Sequence, residues 1–262
     1  MLPLVRARLR IPLLTTQRYH TMTTALLEIA ANSVASAIAA QEGGADRIEL
    51  CAALEVGGLT PSRGVIALAR EQVRIPIYAL IRPRAGDFLY GDLEIETMLG
   101  DIATCVALGC DGVVIGMLDA DGSVDMARCR ELVSAAGGLG VTFHRAFDMA
   151  RDPRGALEDI VALGCERVLT SGGCSSALEG ATLIRELVGQ AGDRIAIMPG
   201  AGINAGSIAA VRAATGAREF HASARRELPS LIRHRGFAGS GMEAGESRTD
   251  VEEVRAMVAA VK

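Results

Sequence analysis

Val106-Ala107-Leu108-Gly109-Cys110-Asp111-Gly112-Val113 carries the end of a helical pattern into the start of an apolar strand. Val161-Ala162-Leu163-Gly164-Cys165-Glu166-Arg167-Val168 repeats it, and shorter versions stand at Gly44-Ala45-Asp46-Arg47-Ile48 and Gly216-Ala217-Arg218-Glu219-Phe220. Glycine ends a helix because, lacking a Cβ, it enters the left-handed region without a clash. The small residue after it packs, and the chain then enters a sheet. Recurrence of the phrase along one chain marks a duplicated helix–strand unit.

Outward from these junctions, eight segments read as strands, near 26–30, 46–51, 76–82, 112–118, 140–146, 167–171, 195–199 and 218–223. Helical patterns separate them. Asn32 or Ser33 starts one helix, Asp125 caps another before Met126, Asp152-Pro153 opens a third and Asn204 a fourth. Strands alternating with helices pair in parallel through right-handed crossovers. Eight such units in 262 residues predict the α/β class and a (β/α)8 TIM-type barrel, one domain over residues 23–262. A doubly wound open sheet is the competing architecture, but no strand ends in G-x-G-x-x-G. Residues 1–22 form an extension in which Arg6, Arg8, Arg10 and Arg18 precede the first acid, Glu28. It reads as a disordered tail before a start at Met22, with an organellar targeting peptide as the alternative.

A formal net charge of −4 argues against a nucleic-acid surface, which needs a basic patch. No apolar run approaches the roughly 20 residues that span a bilayer. The cysteines, Cys51, Cys105, Cys110, Cys129, Cys165 and Cys174, include no C-x-x-C pair and no finger-like His spacing. Most of them read as small buried hydrophobes, a usage that suits a reducing cytoplasm. A barrel of this size is also expected to form homo-oligomers.

In a barrel the outward strand face packs on helices, while the inward face can carry polar groups near its C-terminal end. Leu27 and Ile29 then face out and Glu28 in; Ile48 and Leu50 out, Glu49 and Cys51 in; Val141 and Phe143 out, His144 in; Phe220 out, His221 in with Ser223. Arg82 and Arg84 flank Pro83 at the third strand's exit, and Asp148 closes the cluster His144-Arg145-Ala146-Phe147-Asp148. Glu28, Glu49, Arg82, His144, Asp148 and His221 are therefore the candidate catalytic residues. Convergence of such groups from several strands favours a site over an internal salt-bridge lattice of Glu28, Glu49 and Arg82. Glu, Glu and His could hold Zn2+ or Mn2+, or supply a general base beside an orienting arginine.

Thr170-Ser171-Gly172-Gly173, Pro199-Gly200-Ala201-Gly202 and Ser223-Ala224-Arg225-Arg226 end the last three strands. Barrels often bind phosphate in this quadrant, so Arg84, Ser171, Gly172, Gly200, Gly202 and Ser223 are the candidate anion binders. Asp119-Ala120-Asp121-Gly122-Ser123-Val124-Asp125 has its glycine two places too early for a calcium loop, and reads as a turn before a helix cap.

Six stretches resemble the CutC copper homeostasis family: Glu49-Leu50-Cys51, Gly57-Gly58-Leu59-Thr60-Pro61-Ser62, Ile81-Arg82-Pro83-Arg84-Ala85-Gly86-Asp87-Phe88, Thr142-Phe143-His144-Arg145-Ala146-Phe147-Asp148, Leu169-Thr170-Ser171-Gly172 and Phe220-His221-Ala222-Ser223-Ala224-Arg225. The likeness runs from about Leu26 to the C-terminus. It implies a TIM-type barrel, a cytoplasmic location and a role in copper binding or tolerance. Cys51 matches a family cysteine. The second cysteine that relatives often carry after the first strand is absent, Ala30-Ala31 standing before Asn32. A two-thiolate copper(I) site from those positions cannot form. Cys51, Glu49 and His144 become the metal-ligand candidates, for copper or, with Glu28 alongside, a harder ion such as zinc or manganese. Copper homeostasis is the first expectation. An enzyme acting on a small anionic molecule, phosphorylated or not, is the alternative, and a non-catalytic scaffold the third.

Overall fold

The computed structural model describes residues 25–234 and 245–262, so the extension 1–22 lies outside the described residues. At the four repeated junctions the glycine is left-handed, with φ of 90° at Gly44, 72° at Gly109, 81° at Gly164 and 73° at Gly216. Each time the next strand opens three residues later.

The chain runs β1 (Leu26–Ala31), α1 (Val34–Gly43), β2 (Arg47–Leu50), α2 (Arg63–Gln72), β3 (Ile77–Leu80) and α3 (Asp92–Ala107). It continues through β4 (Gly112–Ile115), α4 (Met126–Ala136), β5 (Gly140–Phe143), α5 (Pro153–Leu163), β6 (Arg167–Thr170) and α6 (Ala181–Ala191). Last come β7 (Ala196–Pro199), α7 (Ile208–Thr215), β8 (Glu219–Ala222), β9 (Arg225–Leu228), β10 (Glu246–Thr249) and α8 (Val251–Val261). Strands β1 to β8 form one sheet in the order β7-β6-β5-β4-β3-β2-β1-β8, every pairing parallel. β7 lies against β8 and brings the two ends of the sheet together. The architecture is the expected (β/α)8 barrel rather than an open doubly wound sheet. An antiparallel ribbon of β9 and β10 follows β8, and sequence reading did not foresee it.

Ser33, Asp125 and Asp152 cap α1, α4 and α5 as expected, each side chain accepting from a first-turn N–H. Asn204 does not start a helix. Its Oδ1 accepts from the N–H of Gly206 and Ser207 at 2.9 and 3.1 Å, closing a turn, and α7 begins only at Ile208. Asp119 likewise accepts from the N–H of Asp121 and Ser123, the turn expected there. Among the described residues no helix is long and apolar enough to cross a membrane.

The outward-facing Leu27, Ile29, Ile48, Leu50, Phe143 and Phe220 are fully buried between strands and helices. Inside the barrel, the Tyr78 ring occupies the space that side chains at Gly112 and Gly140 would need. Arg47 and Arg167, the first residues of β2 and β6, hold their guanidinium carbons 5.3 and 4.9 Å from that ring. Both pair with Glu219, the first residue of β8, at 2.7 and 3.1 Å, and Arg47 also pairs with Glu28. An internal ion lattice therefore exists at the N-terminal end of the strands. It is built from Glu28, Arg47, Arg167 and Glu219, and Glu49 and Arg82 take no part in its ion pairs.

Candidate functional site

β8, β1 and β2 are neighbours, and their registers set Glu28 opposite His221 and Glu49 opposite Ala30. Alternation along the strands turns Glu28, Glu49 and His221 inward, and ligand atoms of all three lie within 4.8 Å of one another. Glu28 Oε1 is 2.8 Å from His221 Nδ1, and its Oε2 accepts from Arg47. Burial alone would raise the Glu28 carboxyl, but Arg47 and His221 overcome it and hold the group down to about 2. Glu49 has no such cation bonded to it. Burial, helped by the charge of Glu28, pushes it up to about 7. Its Oε2 is buried and lacks a hydrogen-bond partner. Burial pulls His221 down, yet Glu49 and Glu28 outweigh this and raise its pKa.

Arg82 and His144 stand just beyond β3 and β5 and build a different wall. The Arg82 guanidinium donates to the carbonyls of Val56 and Gly58 at 2.9 and 2.8 Å through one terminal nitrogen and to Gly86 at 2.9 Å through the other. Among the described residues it has no carboxylate within 4.0 Å, and its Nε has no partner. Gly116 leaves the room that the His144 ring fills. His144 Nδ1 accepts the Ala146 N–H at 3.1 Å, and its Nε2 is buried without a partner. Burial, with Arg82 nearby, lowers His144 to about 3, so the ring is neutral. Phe88 lies beside both, 5.0 Å from the His144 ring and 5.3 Å from the Arg82 guanidinium carbon.

Glu49, Arg82, His144, Asp148 and His221 line one cavity of about 620 Å3 at the C-terminal mouth of the barrel, together with Gly202, Ser223 and Arg225. Glu28 is buried beneath it. The other predicted site residues have different roles. Arg84 pairs with Glu94 and Asp87 at 2.5 and 3.0 Å, outside the cavity lining, so it is not free to clamp an anion there. Asp148 is itself the anion of the β6 loop: its carboxylate accepts from the Thr170 hydroxyl at 2.5 Å, from the Ser171 and Gly173 N–H groups at 3.0 and 3.2 Å, and from Arg145 at 2.8 Å. The β6 part of the cradle read as a phosphate site is thereby taken up by the chain's own carboxylate, while Gly202 and Ser223 of the β7 and β8 loops line the cavity. Gly172 and Gly200 spend their N–H groups on Thr170, at 2.8 and 2.9 Å, and neither lines the cavity.

The proposed ligand set of Cys51, Glu49 and His144 is not brought together. Among the described residues, the group able to hold a metal is Glu28, Glu49 and His221. Cys51 packs instead with Tyr78, Leu80 and Val114, donates to the Ala31 carbonyl at 3.7 Å, and has its thiol pKa raised by burial. Arg47, Arg167 and Glu219 escaped the sequence reading. Extending the same alternation back to the first residue of each strand would have found them.

A family model described as CutC family matches residues 25–226. A CutC family protein of Xylella fastidiosa (strain Temecula1) is 63% identical over 199 residues, covering 76% of this chain and 74% of the relative. The human copper homeostasis protein cutC homolog is 47% identical over 243 residues, covering 90% of this chain and 89% of its own. A solved CutC structure from Streptococcus agalactiae is 35% identical with a TM-score of 0.72, covering 75% of this chain and 97% of that one.

Proposed function

The chain belongs to the CutC family, and on that premise we propose that it binds a divalent metal ion at Glu28, Glu49 and His221, as part of a copper homeostasis role. The observation that carries this reading is the buried, partnerless Oε2 of Glu49 beside a second carboxylate and an imidazole. A buried polar atom without a partner is costly unless something occupies the place beside it.

Two oxygen donors and a nitrogen suit zinc, manganese or copper(II). They do not fit copper(I), which prefers thiolates, and the protonated Cys51 thiol lies outside the group. Copper in the divalent state is thus the form that these residues accept. All six cysteines are free, which supports a reducing compartment such as the cytoplasm; there copper is largely monovalent, so zinc and manganese compete for the same residues.

His221 and Glu49 both hold protons that a cation would replace, so metal affinity is expected to rise with pH through about 7. Elemental analysis of the purified protein, followed by calorimetric titration with copper(II), zinc(II) and manganese(II), tests the reading. Glu49→Gln should lose at least the roughly 10- to 100-fold in affinity that removal of an outer-shell partner costs elsewhere. Cys51→Ser should bind as tightly as the parent. Equal affinity in parent and Glu49→Gln, or loss only in Cys51→Ser, would overturn the assignment.

A further inference from the structure

The geometry points to a second ligand site in the same cavity: we propose that Arg82 and His144 bind the oxyanion head of a small molecule, a carboxylate or a phosphate. The case rests on donors that the protein leaves unused. Arg82 is buried, carries a permanent charge and has no carboxylate partner among the described residues. Three carbonyl oxygens orient its guanidinium and the Tyr90 hydroxyl lies beside it, but none supplies a counter-charge, and Nε–H makes no hydrogen bond. A buried cation of this kind calls for an anion.

The His144 tautomer gives the same answer independently. Because Nδ1 accepts the Ala146 N–H, the proton of the neutral ring sits on Nε2, where it has no acceptor. Two unpaired donors, one of them charged, therefore belong to side chains that line one cavity wall against Phe88. Exposed Arg225 adds a cation to the lining.

The acids that also line the cavity do not cancel this wall. Asp148 is committed to Arg145 and to the β6 loop, and Glu49 is bonded to neither Arg82 nor His144. Asp148 closes the β6 loop to an anion, and the unused donors of the cavity are those of Arg82 and His144. This site shares no ligand atom with the Glu28, Glu49 and His221 group and does not rest on the metal reading.

The test is calorimetric titration of the full chain, stripped of metal with a chelator, with inorganic phosphate and separately with acetate. Saturable one-site binding of either is expected, the tighter of the two identifying the head group. His144→Phe, which removes the Nε2 donor, should weaken it about tenfold, the worth of one charge-assisted hydrogen bond. Arg82→Gln should abolish it. Arg82 also braces the Val56, Gly58 and Gly86 loops, so its variant can unfold; His144→Phe then decides, read together with the 15N shift of His144 Nε2 on adding the anion. Absence of saturable binding in the millimolar range, or unchanged affinity and no shift at His144, would overturn the proposal. Because the protein is metal-free, either result leaves the metal assignment to its own titration.

Discussion

Glu28 and Glu49 are the same side chain on adjacent strands, yet one is held down to about 2 and the other pushed up to about 7. The difference is Arg47, bonded to the first and not to the second. Relative to the ordinary 4.5, Glu49 keeps its proton longer in the folded chain, so stability falls as pH rises from 4.5 to 7, by at most about 3 kcal/mol. His221 acts in the same sense: its contribution is complete below 6.5 and is lost as pH climbs through its raised folded value. Glu28 opposes both, since its contribution is present above 4.5 and is lost as pH falls toward 2. Thermal melts across pH should therefore show Glu49→Gln more stable than the parent at pH 8, with the gain shrinking toward pH 4.5. Arg47→Met should cost about 3–5 kcal/mol in urea denaturation, because it removes the permanent charge paired with buried Glu28 and leaves His221 as its remaining partner. At this scale the two-residue period of a strand was enough to place Glu28, Glu49, His144 and His221 inside. It could not separate the roles of Asp148 and Arg82, because the partners that decide them come from segments distant in sequence.

Among elements, the helix-to-strand junction is the repeated part, and its glycines differ in what they do. Gly164 has φ of 81° with nothing within 4 Å of where a Cβ would stand, so Gly164→Ala should cost only the left-handed strain, about 1–2 kcal/mol. Gly112 opens β4 under the Tyr78 ring, and a Cβ there would overlap it. Gly112→Ala should thus lose more stability than Gly164→Ala in the same urea titration, although strand propensity alone favours alanine over glycine there. Junction phrases, caps at Ser33, Asp125 and Asp152, and strand positions were all legible because each is fixed by residues within one turn or strand. The β9–β10 ribbon was not, because its strands join residues 18 to 24 apart through side chains that alternate no apolar pattern.

For the molecule as a whole, α8 closes the helical jacket over α1, α7 and β1. Val254, Met257 and Val261 are completely buried there. At about 2 kcal/mol for each such side chain, ending the chain before α8 removes on the order of 6 kcal/mol, comparable to the entire stability of many domains. Circular dichroism of a chain stopped at Asp250 should show no cooperative melt; a normal melt would mean that the barrel stands without its last helix. The closed ring itself was legible from counting units, while the depth of its interior was not, since that depends on which inward positions are glycine.

Tyr78, wedged over Gly112 and Gly140 and flanked by Arg47 and Arg167, stops up the N-terminal end of the cylinder. With that end filled, the C-terminal mouth is the route into the pocket. An ion beside Glu28 and Glu49 leaves through the mouth that Arg82 also lines, so an anion held at Arg82 would stand in its way. Metal release should therefore slow when phosphate or a carboxylate is present in excess.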